Sequence, residues 1–243
     1  MEYNAEDIPD LSNSVGLVNT FSSCNIIFNT SIADWDVSSV TTMRSMFFNN
    51  NSFNQDISDW DVSSVTDMGQ MFAGAVAFNQ DISDWVVSSV TSMSQMFIGA
   101  DAFNQDISGW DVSSVIGMES MFRQAAAFNQ DISGWNVSSV TSMSFMFEDA
   151  TAFNQNLGAW NISNVTSMVN MLDNSGMSPQ NFGATLIGWA NPPEGQTIPQ
   201  NIILGSEGMA LCEDDTDAQL AALSLLAEPN WTFDGVGNPV PCD

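Results

Sequence analysis

Six tryptophans stand 25 residues apart, at Trp35, Trp60, Trp85, Trp110, Trp135 and Trp160. Around them the same text returns. The stretch FNQDISDWDVSSVTDMGQMF that begins at Phe53 comes back with small changes at Phe78, Phe103, Phe128 and Phe153. Residues 28–177 are six copies of 25 residues without insertion. A repeat of this length is one structural unit that buries its apolar face only by stacking on its neighbours. The period therefore predicts a solenoid of uniform coils.

In the copy from Phe53 the apolar residues are Phe53, Ile57, Trp60, Val62, Val65, Met68, Met71, Phe72 and Ala75. From Ile57, five of them fall at offsets 0, +3, +5, +8 and +11, the leucine-rich-repeat spacing. Valine takes the slot usually held by Asn or Cys. Trp60 and Val62 are two apart, the period of a strand, so residues 59–63 are predicted to form a short strand. After Val65 the steps become three and four, the period of a helix, with Ser64 or Thr66 as N-cap and Gly74 as stop. The expected fold class is an α/β solenoid: a right-handed, leucine-rich-repeat-like coil with one short parallel strand and one short helix per repeat.

An open stack exposes core at both ends and needs caps. Residues 1–27 are expected to be the N-terminal cap with one degenerate coil. Residues 178–243 are expected to be the C-terminal cap, two longer irregular coils, all within one domain. There, 179–190 and 215–227 read as helices, and 202–204 and 231–233 as strands. Leu220, Leu223 and Leu226 are expected to face inward, with Thr216 or Asp217 as N-cap.

The charge balance excludes several partners. The chain has 29 acidic residues, two basic ones (Arg44 and Arg123) and no histidine, for a net charge of -27. Phosphate backbones and anionic lipid surfaces are repelled, so nucleic acid and acidic membranes are not expected partners. No apolar run is long enough to span a bilayer, and MEYNAEDIPD has neither a basic nor an apolar leader region. Cys212 and Cys242 bracket the C-terminal segment and are a candidate disulfide; Cys24 is left over.

Most columns read as architecture. Twelve methionines form two columns three residues apart, beginning at Met43 and Met46, and suit a core on the helical side. The tryptophans take the inward slot, so burial outweighs a sugar-stacking platform. The threonines Thr41, Thr66, Thr91, Thr141 and Thr166 read as N-caps. The asparagines from Asn29 to Asn154 read as coil-to-coil hydrogen bonds.

The acidic columns carry the functional expectation. Beside tryptophan, one outward column runs Asp34, Asp59, Asp84, Gly109, Gly134, Ala159, and the other Asp36, Asp61, Val86, Asp111, Asn136, Asn161. The expected binding footprint is Asp34, Asp36, Asp59, Asp61, Asp84 and Asp111, on a concave parallel-sheet face. A further column, Asp56, Asp81, Asp106 and Asp131, offers oxygen ligands of the kind that suit Ca²⁺, without EF-hand or nonapeptide spacing. A solvated acidic surface is the plainer reading of both. Catalysis has little support: carboxylates abound, but no unique pair stands apart from the repeat.

The repeat FNQDISDWDVSSVTDMGQMF also resembles the unit of the BspA-like leucine-rich-repeat bacterial surface proteins, and the match runs through all six copies. The tail, TLIGWA to NIILG to AALSLLAEPNWTF, is similar to the way those proteins finish. The resemblance implies an extracellular or cell-surface protein that binds proteins or cells, with no enzymatic activity. The expected function is thus a non-catalytic, monomeric binding module for adhesion, with a basic protein or cell-surface ligand and no cofactor. The alternatives are an acidic structural spacer, stabilised by weakly bound Ca²⁺, and, more distantly, a glycan-binding module.

Overall fold

The computed structural model describes residues 11, 14–24 and 32–242. The expectations for Phe28, Asn29, Ser31 and most of segment 1–27 lie outside the described residues.

Each repeat folds as a chain of turns. In the copy around Met68, Met71 donates to the Met68 carbonyl, Ala73 to Gln70 and Ala75 to Phe72. Gln70 and Gly74 sit at positive φ, 59° and 68°, the third-residue conformation of a type II turn. The equivalent Ser45 and Asn49, Gln95 and Gly99, and Ser120 and Gln124 do the same. A run interrupted by left-handed residues is not a helix. The expected helix after Val65 is thus corrected to overlapping turns, and Gly74 is a turn residue, not a helix stop. The three- and four-residue steps misled because successive turns also return a side chain to one face every three or four residues.

The other N–H groups of this segment point along the stack. Met68, Gln70, Phe72 and Gly74 donate to the carbonyls of Ser92, Ser94, Met96 and Ile98 in the next coil. Parallel bridges link Gly16, Thr42, Asp67, Ser92, Gly117, Ser142 and Ser167 in one row. Parallel pairing is present, but not at the expected place. Residues 59–63 form no strand: Trp60 closes a turn on Ile57, and Val65 closes one on Val62. Their coil-to-coil tie comes from a side chain. The Trp60 indole Nε1–H donates to Ile32 O of the preceding coil at 2.9 Å, Trp85 to Ile57, Trp110 to Ile82, Trp135 to Ile107 and Trp160 to Ile132.

Inside this frame the core is apolar. Both methionine columns are fully buried, and the tryptophans from Trp35 to Trp160 are only 2–8% exposed. Two phenylalanine columns stack within and between coils: Phe72 lies 3.8 Å from Phe78 and 5.6 Å from Phe97, ring centre to ring centre. Offset stacking of this kind adds to the area term.

The ends extend the same bonding. Leu17, Asn19, Phe21 and Ser23 donate to Thr42, Arg44, Met46 and Phe48, so residues 15–23 carry the ladder half of a coil. After the last repeat come α1 (Pro179–Ala190), β1 (Ile203–Gly205), α2 (Thr216–Ala227) and β2 (Thr232–Asp234). Ser178 caps α1 by accepting from Asn181 N–H. β1 bridges Met168 and pairs in parallel with β2. Trp189 and Trp231 continue the indole tie, to Leu157 O and Pro199 O.

Two details of α2 differ from the sequence reading. Asp215, not Thr216 or Asp217, is its N-cap, accepting from Ala218 N–H. Leu220, Leu223 and Leu226 are exposed, and Ala218, Ala221, Ala222 and Leu225 face inward. Close packing on α1 selects the small residues: a Cβ placed on Gly183 would lie 2.9 Å from the Ala218 Cβ.

Replacing Trp110 with Phe keeps the ring's apolar body and removes one of the two donors to the buried Ile82 carbonyl, which still accepts from Trp85 N–H. The expected cost is the net value of one hydrogen bond, about 0.5–1.5 kcal/mol, read as a fall of a few degrees in Tm. An unchanged Tm would show that the tryptophan column acts by packing alone.

Candidate functional site

The aspartates of each coil divide by what they do locally. Asp56, Asp81, Asp106 and Asp131 each accept from the N–H of the serine two residues on, at 2.9–3.0 Å. Asp36, Asp61 and Asp111 do the same for Ser38, Ser63 and Ser113, at 3.0–3.1 Å. These are Asx turns, in which a side-chain oxygen stands in for a backbone carbonyl. Sequence reasoning passed over the signal, an Asp-x-Ser spacing that occurs twice in the copies from Phe53 and Phe103. Serine donation holds all seven carboxyls below their ordinary value of 3.8. The Ser hydroxyl is the larger cause at Asp36, Asp61, Asp106, Asp111 and Asp131, and the Ser N–H at Asp56 and Asp81.

The turn needs the oxygen and not the charge. Asn136, Asn156 and Asn161 hold Ser138, Gly158 and Ser163 in the same way. The drift from DWDVS to GWNVS therefore removes charge and keeps the fold. In the last copy the serine itself becomes Gly158, because α1 packs there: a Cβ on Gly158 would meet the Ala184 carbonyl oxygen at 2.7 Å.

Asp34, Asp59 and Asp84 are exposed and take no part in these turns. Each is the third residue of the turn that the neighbouring tryptophan N–H closes, a place taken by Gly109 and Gly134 in later copies, so the turn does not need the carboxylate. The acidic columns are close enough to repel: Asp81 feels Asp56 and Asp106, and Asp61 feels Asp36. Val86 breaks its column and is 56% exposed. All six footprint residues lie on the turn side of the coil. The backbone ladder runs through 42–49 and its equivalents, so the expected placement of these aspartates on a parallel-sheet face is corrected. The parallel pairing lies elsewhere because the tryptophan indole, and not the backbone, ties coils together here.

The remaining polar columns are structural. Thr41, Thr66, Thr91 and Thr166 donate their hydroxyls to a carbonyl of the preceding coil, from 2.7 to 3.1 Å. With no helix to cap, the N-cap reading is replaced by a coil-to-coil bond. Asn54 Oδ1 accepts both Asn79 N–H and Gln80 Nε2–H, a pattern repeated at Asn79, Asn104 and Asn129. The glutamine half of this column was missed from sequence. At the cap Ser178 N–H and Asn181 Nδ2–H take over the two donors to Asn154.

Both arginines are already paired, Arg44 with Asp67 at 3.6 Å and Arg123 with Glu148. Burial pushes the Glu148 carboxyl up, and the Arg123 guanidinium pulls it partly back. Cys212 and Cys242 form a disulfide, and Cys24 is free. Among the described residues no three His, Cys, Asp or Glu side chains come together as a metal-binding group, and no helix is long and apolar enough to cross a membrane.

Two overlapping stretches, residues 15–115 and 81–185, match a family described as DUF285, Mycoplasma protein of unknown function. No curated protein matches the chain, and no solved structure does.

Asp61→Asn is expected to leave Tm unchanged at neutral pH, whereas Asp61→Ala lowers it by about 1–3 °C and Val86→Asn raises it by a similar amount. The turn aspartates have lowered folded-state pKa values. Their contribution is complete above 3.8 and is lost as pH falls through the folded value. Asp61→Asn should therefore gain on the parent protein in thermal melts below that pH. Equal losses for the Asn and Ala variants would refute the Asx-turn assignment.

Proposed function

We propose that this chain, which belongs to the DUF285 family, is a non-catalytic, BspA-like binding module of an extracellular or cell-surface protein. Its ligand is a basic protein or a basic surface on another cell. One observation carries the reading. Asp34, Asp59 and Asp84 form an exposed acidic row whose carboxylates the turns do not require, in a chain of net charge -27 whose two arginines are already paired. The charge is not compensated internally, and a basic partner would compensate it. Asp36, Asp61 and Asp111 add a second row whose charge the fold does not require. The uniform stack supports this use, because it holds such rows at fixed spacing. The Cys212–Cys242 bridge supports an oxidising compartment.

A second reading, an acidic spacer, is favoured by the unbroken hydrogen bonding from coil to coil. Weak Ca²⁺ binding at Asp56, Asp81, Asp106 and Asp131 would stiffen it.

The triple variant Asp34→Asn, Asp59→Asn, Asp84→Asn is expected to bind an oligolysine peptide more weakly and with a shallower salt dependence than the parent protein. An equal neutralisation at Asp101, Glu194 and Glu207 controls for net charge, and it should cost less. Equal losses in the two triples would remove this face from consideration. Calcium titration with thermal melting tests the spacer: a Tm rise at up to about 10 mM Ca²⁺ supports stiffening, and a flat response ends it.

A further inference from the structure

We infer that the C-terminal end of the stack is a docking site for a short amphipathic helix rich in Lys or Arg, on a surface separate from the acidic rows above. The last coil leaves an apolar face open. Leu220, Leu223 and Leu226 of α2 are 60%, 61% and 42% exposed. They stand three residues apart; Leu223 and Leu226 face an apolar groove, and Leu220 borders a separate hollow beside Ile187 and Asp217. The groove, of about 310 Å³, is walled by Phe182, Leu186, Leu223, Leu226, Phe233 and Val236. Isolated exposed leucines are ordinary, but leucines continuous with an apolar groove mark a contact surface.

Charge in the segments that wall the groove selects the occupant. Glu213, Asp214 and Glu228 lie within three residues of groove residues in sequence and are exposed; Asp234, next to Phe233 in β2, points to the other face of the strand. Glu228 also sits at the C-terminus of α2, where the helix dipole already favours a cation, and α2 has no basic residue in its last turn. No Lys or Arg occurs after Arg123. An apolar groove walled by segments that carry exposed acidic residues and no basic ones fits an apolar helix face flanked by basic residues, laid ridge into groove against α2. A second copy of this chain would bring a further net charge of -27 against the first. An anionic lipid surface would meet the same repulsion.

The test uses a synthetic Leu/Lys peptide of about 14 residues with helical periodicity, titrated into the full chain by calorimetry. A scrambled peptide of the same composition and a Leu/Glu peptide are the comparisons. The helical Leu/Lys peptide is expected to bind saturably, the scrambled one at least about tenfold more weakly, and the Leu/Glu peptide not at all. Leu223→Ser with Leu226→Ser changes no charge and affects only exposed side chains, so the variant should melt like the parent protein and lose about tenfold in affinity. The Asp34, Asp59, Asp84 triple variant should bind this peptide as the parent does, which separates this site from the acidic rows. Unchanged binding by the serine variant, or equal binding of helical and scrambled peptides, would overturn the proposal in favour of diffuse charge attraction. A parent protein that sediments as a dimer, and a serine variant that sediments as a monomer, would overturn it in favour of a second copy.

Discussion

Half of the N–H groups in each turn segment have no partner within their own coil. Met68, Gln70, Phe72 and Gly74 are satisfied only by carbonyls of the next repeat, and a buried N–H without a partner is costly. A single repeat is therefore incomplete in its backbone as well as in its core. This explains the absence of insertions across residues 28–177: an extra residue in one coil would displace every bond to both neighbours. It also explains the two ends. Residues 15–23 supply donors to the first repeat, and β1 and β2 carry the ladder past the last one.

Two kinds of tie divide the circumference of the coil. On the segment from Thr42 to Asn49 and its equivalents, backbone bonds join neighbours. On the segment around tryptophan, the indole N–H does so, reaching an Ile or Leu carbonyl of the coil before. The side-chain tie frees the backbone there to turn sharply, twice within ten residues or so. Those turns need oxygen acceptors, and Asp and Asn supply them. The density of acidic residues thus begins as turn chemistry. What the turns do not explain is the extra row at Asp34, Asp59 and Asp84, and that surplus is what a partner could use.

The repeat length, the columns, the buried identity of Met, Phe and Trp, and the two C-terminal helices could all be read from residues alone, because burial imposes a period on sequence. The helix inside each repeat could not be told from a chain of turns. M-x-x-M-F-x-x-A places its apolar groups at three- and four-residue steps, and both structures satisfy those steps. The decisive residues, Ser45 or Gln70 at positive φ, are not types that announce a left-handed conformation. The orientation of α2 was also hidden. Leu220, Leu223 and Leu226 look like core by hydropathy, yet Ala218, Ala221 and Ala222 face inward with Leu225, and at Ala218 α1 lies too close for a larger side chain.

Of the aspartates, the sequence by itself determined their columns and their loss of charge towards the later copies, since both are matters of identity and spacing. Only the tertiary structure decided their roles. It placed seven of them in turns where Asn serves equally, left Asp34, Asp59 and Asp84 outside those turns, and moved the parallel ladder to another side of the coil. The physical reason is that a side chain's role depends on where the backbone donors around it point. In this protein the next coil sets that direction.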